Sequence, residues 1–403
     1  MRLAIILALN MQSTIVAYFA YKVTHDKLVL GMLGLWEVIP AIGFSLFSGH
    51  FVDLKEKRTL VVQCTVGYLL LSLFFMALAL RGTSHILSTS GIVWLIYAGT
   101  FIGGALRAFL SPATFALMGM LVPRDQYTNA TTWSSGSRQA GAVAGPLLGG
   151  FMIAYTSFHA SLITVAAIEL VALLAIMRIP RQAILQKEKE PILKSLGEGL
   201  KFVFRSQLVL AALSLDMFAV LFGGAVALLP VFADDILMVG EVGYGWMRAA
   251  PGIGSVLMLV ILSFAPFKRN PGIKLLLSIA GFGITTIIFG YCGYFGHNWG
   301  FFVAVVMLLL GGMFDAVSVV IRGTILQIYT PDSMRGRVAA VNTMFISSSN
   351  ELGAMESGLT AKWMGTVPAV VFGGCMTLVV VGITWFAAPM LRVLDLHKDA
   401  DKQ

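Results

Sequence analysis

Gly141-Ala-Val-Ala-Gly145-Pro146-Leu-Leu-Gly149-Gly150 is nearly bare of large side chains and lies within a longer apolar run. In water it would make a poor helix, since each interior glycine costs about 1 kcal/mol relative to alanine and an interior proline about 3. A bilayer reverses the balance. Backbone groups there have no water to bond, so the helix is kept, and glycines four apart become a smooth face on which a second helix can lie. Gly141, Gly145 and Gly149 form that face, Gly150 completes the motif, and Pro146 supplies a bend at which the helix can pivot. A lone G-x3-G is usually only a static packing face; the complete pattern G-x3-G-P-x2-G-G is far more particular.

The surrounding chain agrees with a membrane setting. Of 403 residues, 58% are hydrophobic and only 12% charged, which excludes a domain wetted on every side. The net charge of +8 does not point to nucleic acid, because the basic residues sit in short loops between apolar runs instead of clustering on one face. Cys64, Cys292 and Cys375 are too scattered for a disulfide frame or a metal site. With no Walker loop, GxSxG, HExxH or CxxC in the chain, neither enzyme chemistry nor a cofactor or metal is expected. The opening Met1 to Leu9 has the outline of a signal peptide. Asn10, Gln12 and Ser13 interrupt it, however, the apolar run resumes to Tyr21, and no cleavage site follows, so it reads as the first span.

A span needs about 20 apolar residues, and twelve are expected, at 2–22, 28–52, 59–80, 91–112, 129–155, 159–178, 208–232, 243–266, 272–294, 300–322, 339–362 and 366–391. The loops after even-numbered spans and the C-terminal tail hold most of the lysines and arginines. The other face holds only Lys22, Lys27, Arg81 and Lys362, which puts both termini in the cytoplasm. The fold expected is therefore an all-α membrane protein, a bundle over 1–178, a linker over 179–207, a second bundle over 208–391 and a cytoplasmic tail over 392–403. From Ile192 the linker has apolar residues at helical spacing with Lys194 and Lys201 on the other side, as in a helix lying along the membrane surface.

The halves repeat. Gly103-Gly104-Ala-Leu-Arg107-Ala-Phe aligns with Gly311-Gly312-Met-Phe-Asp315-Ala-Val, and Gly34-Leu-Trp-Glu37-Val-Ile-Pro40-Ala-Ile-Gly43 aligns with Gly245-Trp-Met-Arg248-Ala-Ala-Pro251-Gly-Ile-Gly254. This predicts two pseudo-symmetric six-helix bundles. A charge in mid-bilayer costs at least about 2.5 kcal/mol, so it faces a cavity or a partner. The candidates for substrate cavity and proton coupling are Glu37, Arg107, Arg138, Asp216, Arg248, Asp315, Glu351 and Glu356, with Glu169 on the sixth span ranked below them. Two readings apply to Glu37, Arg107, Arg248 and Asp315: fixed pairs within each half, or a carboxylate beside an arginine that takes and loses a proton as its surroundings change. Arg138 either anchors an anionic group of the cargo or neutralises an interior acid; the second is favoured because an unpaired arginine is costly.

Between the second and third spans lies Gly49-His50-Phe51-Val52-Asp53-Leu54-Lys55-Glu56-Lys57-Arg58. It is similar to the loop motif G-x-x-x-D-R-x-G-R-K/R of the major facilitator superfamily at Gly49, Asp53, Lys57 and Arg58, and departs from it at Leu54 and Glu56. In a gate of this kind Asp53 sits at the N-terminal end of a facing helix, expected here to be the eleventh, with Arg337 as a partner. The Gly141 to Gly150 pattern resembles the fifth-helix antiporter motif of exporters in the same superfamily. With Leu193-Lys-Ser-Leu, Ala250-Pro251-Gly252-Ile-Gly254 and Thr330-Pro-Asp-Ser-Met-Arg-Gly-Arg-Val, the whole chain resembles its drug and siderophore exporter branch.

That resemblance implies a monomeric secondary transporter of the bacterial inner membrane, exporting a small amphipathic molecule against protons or another coupling cation. Asp315 is the first coupling acid it implies, because the tenth helix of this fold lines the cavity. Trp36, Phe109, Trp133, Phe218 and Phe222 are expected around the cargo. The alternatives are a lipid or lysolipid transporter and a non-transporting membrane scaffold or sensor.

Overall fold

The computed structural model describes residues 1–80, 87–123, 126–181, 192–264, 270–331 and 334–394. Six long helices make up the first half: α1 (Arg2–Thr24), α2 (Lys27–Leu54), α3 (Lys57–Leu78), α4 (Thr89–Leu121), α5 (Tyr127–Tyr155) and α6 (Phe158–Met177). A short helix, α7 (Ile192–Arg205), precedes α8 (Gln207–Phe222). A broken stretch of 3-10 and π turns then runs from Ala225 to Ile236. There follow α9 (Gly240–Phe264), α10 (Pro271–Gly290), α11 (His297–Tyr329), α12 (Arg335–Met364), α13 (Thr366–Ala387) and the single turn α14 (Pro389–Arg392).

Local chemistry sets the helix starts. Asp26 accepts from the Leu28 amide (2.9 Å), Glu56 from the amides of Arg58 and Thr59, and Ser88 from the Gly91 amide, each satisfying first-turn donors of α2, α3 and α4. At the other end of α1, His25 takes a left-handed conformation (φ 50°) and its amide donates to Tyr21 O (2.7 Å).

Ten of the described helical segments are long and apolar enough to cross a membrane. The two other long helices, α5 and α12, hold the equivalent fifth and eleventh places. They are long enough to span, at 29 and 30 residues, but rich in glycine, serine and asparagine. The twelve-helix architecture follows: a multi-pass, all-α membrane protein.

Two compact units form, Met1–Ile192 with Pro230–Ala249, and Leu193–Leu229 with Ala250–Gln403. In the first, α1 packs on α5 and α6, α3 on α4 and α6, and α2 on α4. The second repeats this scheme: α8 packs on α12 and α13, and α10 on α11 and α13. The α2–α4 contact is matched as well. A Cβ on Gly104 would strike Glu37 O and lie 2.9 Å from Pro40 Cγ, and one on Gly312 would strike Pro251 O. In each unit a glycine thus brings a helix against the aligned proline, and the two sequence repeats meet in space.

Candidate functional site

The glycine helix packs lengthwise on α1 within the first unit. Gly141 faces Ile6 and Leu7 of α1, Gly145 faces Asn10 and Leu7, and Gly149 faces Met11 and Thr14. An added Cβ at Gly145 would come 2.5 Å from Asn10 Cβ and 3.1 Å from Leu7 O. On its other side Gly150 lies against Gly245 and Glu241 O at the start of α9. Pro146 is inside α5 and buried between these contacts.

The interior charges divide by whether another side chain compensates them. Glu37 on α2 and Arg107 on α4 form an ion pair, with Oε1 and Nη1 2.5 Å apart. Asp216 on α8 is 5% exposed and ion-paired with Arg322 on α11, itself 3% exposed; the Ser318 hydroxyl donates to its other oxygen (3.2 Å). Sequence reasoning missed Arg322. It took the tenth span to end there, whereas α11 continues to Tyr329 and carries Arg322 well inside the helix. Asp315 is half-buried on α11 and Arg248 half-buried on α9; within its own unit neither has an ionic partner within 4 Å among the described residues. Glu351 and Glu356 are half-buried on α12, and Glu351 interacts with a neighbour.

Arg138 is exposed, and no acid lies within ion-pair distance of it among the described residues. The contact register of α5 on α1 sets it level with Arg2, whose Nη1 is buried without a hydrogen-bond partner. The two guanidiniums repel each other and make a basic spot instead of the neutralised acid expected for Arg138.

The side chains of Gly49 and Asp53 lie outside the described ones, so the contact expected of Asp53 does too. Lys57 is buried and donates to Val52 O (2.5 Å) and Lys55 O (3.2 Å). Arg58 donates to Met177 O (2.7 Å) and Ile176 O (3.3 Å), closing the C-terminal end of α6. Arg337, expected near Asp53, forms an ion pair with Glu198 of α7, whose Val203 packs with Val209, Leu213, Val338 and Val341.

A second cluster had no forecast. Tyr18 and Tyr21 of α1 donate their hydroxyls to Asp234 and Asp235, and Lys22 pairs with Asp234 (2.9 Å) and approaches Glu241 (4.0 Å). Tyr244 stacks on Tyr18 (4.9 Å between rings) and donates to Thr14 O (3.3 Å). This clasp ties the π turn at Phe232–Ile236 and the start of α9 to α1, inside the first unit. Of the expected cargo aromatics, Trp36 stacks on Tyr97 (5.9 Å) and Phe109 packs edge-on against Phe51 (5.5 Å), while Trp133 and Phe218 are exposed and Phe222 ends α8.

Membrane-spanning helices, two units with one packing scheme and charges held inside them define a polytopic membrane transporter. A sequence model of the major facilitator superfamily matches residues 1–354, and the chain belongs to that superfamily. It is 24% identical over 393 residues to YfiS, an uncharacterized MFS-type transporter of Bacillus subtilis (strain 168), covering 90% of this chain and 85% of that one. It is 26% identical over 361 residues to the enterobactin exporter EntS of Escherichia coli O139:H28 (strain E24377A / ETEC), covering 86% and 82%. Among solved structures, the xylose transporter XylE from E. coli in an inward open conformation superposes with a TM-score of 0.71 at 13% identity over 96% of this chain and 95% of that one. A bacterial homologue of the iron transporter ferroportin in an inward-facing state gives 0.68 at 15% over 95% and 98%. At such identities the structural likeness speaks for the fold alone.

Proposed function

We propose that this transporter exports a small amphipathic compound of the drug or siderophore type from the bacterial cytoplasm, by alternating access and in exchange for protons. The observation that carries the coupling is Asp315, an interior acid on α11 without an ionic partner among the described residues. Glu37 and Asp216 each have an arginine to hold the charged form, whereas a carboxylate with no cation beside it gains most by binding a proton. Glu356, likewise without an ionic partner among the described residues, ranks second. The export direction and the siderophore class draw support from the likeness to EntS over most of both chains. On this reading Arg138 and Arg2 form a basic spot that suits an anionic group on the cargo. The Tyr18–Asp234 clasp, at the end of α1 away from Met1, is the outer gate, and the chain works as a monomer with both termini in the cytoplasm.

The test is efflux of siderophores, macrolides, dyes and lysolipids from exporter-deficient cells, comparing wild type with Asp315→Asn, with and without an uncoupler. Accelerated efflux of one cargo, abolished by both treatments, is expected. Efflux that survives the uncoupler removes proton coupling, and efflux that survives Asp315→Asn removes Asp315 as the coupling acid.

A further inference from the structure

Glu169 lies on α6, 2% exposed, and neither carboxyl oxygen has a hydrogen-bond partner among the described residues. It borders a cavity of about 10 Å³ walled by Ile5 and Leu9 of α1 and by Thr65 and Tyr68 of α3. That is room for about one water molecule. Of the donors around it, all but the Ser72 hydroxyl are engaged. Thr65 donates to Val61 O (2.8 Å), Tyr68 to Gly103 O (2.8 Å), and Gln12 Nε2 to Ser72 Oγ (2.9 Å). The Ser72 hydroxyl faces Glu169. Among the described residues no charged side chain forms an ion pair with Glu169; near Tyr68 stand Cys64 and the Glu37–Arg107 pair, whose charges hold each other.

An ionised carboxylate is disfavoured in this place: it is stripped of water, has no hydrogen-bond partner among the described residues, and could be met only by the single Ser72 hydroxyl. The neutral acid fits, because its O–H can donate to Ser72 Oγ, an oxygen that Gln12 already holds in position. We infer that Glu169 is a proton-binding site buried inside the first bundle, which holds its proton while α1, α3 and α6 are packed and releases it when water enters the seam between them. The packed seam then binds one proton more than the open one. It is favoured as the pH falls, and opening it expels a proton from a place far from Asp315 in the sequence.

The inference is independent of cargo and of export, so a failed efflux assay leaves it standing. The full chain in lipid is studied by infrared spectroscopy across a pH series, as wild type, Glu169→Gln and Ile5→Ala. Glu169→Gln copies the neutral acid in shape and is expected to fold. At neutral pH the difference between the wild-type and Glu169→Gln spectra should contain the carbonyl stretch of a protonated carboxylic acid. Ile5→Ala thins the wall of the cavity, so its band should disappear at a lower pH than that of the wild type. Identical spectra for wild type and Glu169→Gln at neutral pH would overturn the proton site. The same midpoint in Ile5→Ala and wild type would overturn release through the seam.

Discussion

Replacing Arg322 by leucine tests the electrostatics of the second bundle most directly. Arg322 and Asp216 are 3% and 5% exposed and sit beside a core that includes Leu215, Ala219, Val317, Ile321 and Ile325, so water cannot screen either charge. Among the described residues, Arg322→Leu leaves Asp216 with the Ser318 hydroxyl alone, a neutral donor at 3.2 Å. Breaking a buried pair by removing one partner costs about 3–5 kcal/mol, because the surviving charge stays uncompensated. Asp216→Leu with Arg322→Met removes both charges and keeps apolar volume, and such replacements are often neutral or even stabilising by about 1–4 kcal/mol. The double variant should therefore be more stable than either single one. The assay is resistance of the solubilised full chain to heat and to a denaturing detergent, followed by size-exclusion chromatography. An Arg322→Leu protein within about 0.5 kcal/mol of wild type, or a double variant weaker than the sum of the singles, would refute the reasoning.

Three further outcomes can be checked with similar means. Gly145→Ile should abolish the monodisperse peak, since even its Cβ would meet the α1 backbone, whereas Gly136→Ala, on the same helix with nothing within 4 Å of the new atom, should leave the peak unchanged. Lys22→Met with Asp234→Asn should loosen the clasp and raise several-fold the maleimide labelling of a cysteine placed at buried Thr14, measured with Cys375, the exposed native thiol, replaced by serine; unchanged labelling would count against a clasp. Glu37→Arg alone should lower the folded yield, and combining it with Arg107→Glu should restore it if the two form a fixed pair; failure of the double reversal would mean that the pair is not what holds α2 to α4.

Legibility in the sequence followed the range of the interaction. The glycine face of α5 could be read because its spacing is local, and its neighbour α1 needs only to be a helix. The internal repeat was visible for the same reason, and it gave the packing scheme of both units. Asp234 and Asp235 were passed over as loop residues, since their meaning depends on Tyr18 and Tyr21, more than two hundred positions away. Arg322 was read as the last residue of the tenth span because apolar character weakens near it while the helix continues. Lys57 and Arg58 matched a motif, and what the motif does not show is that they close helix ends within their own bundle.

The contacts at Gly104 and Gly312 bear on how such a chain can change over time. At each of them backbone meets backbone or a proline ring. No rotamer change can absorb an added atom there, whereas a lipid-facing leucine such as Leu70 or Leu277 has open space around it. If both halves arose from one ancestral bundle, substitutions would erase their likeness first on the outer faces and last at these touching backbones. The short stretches in which the two halves read alike include the points where helix backbones touch.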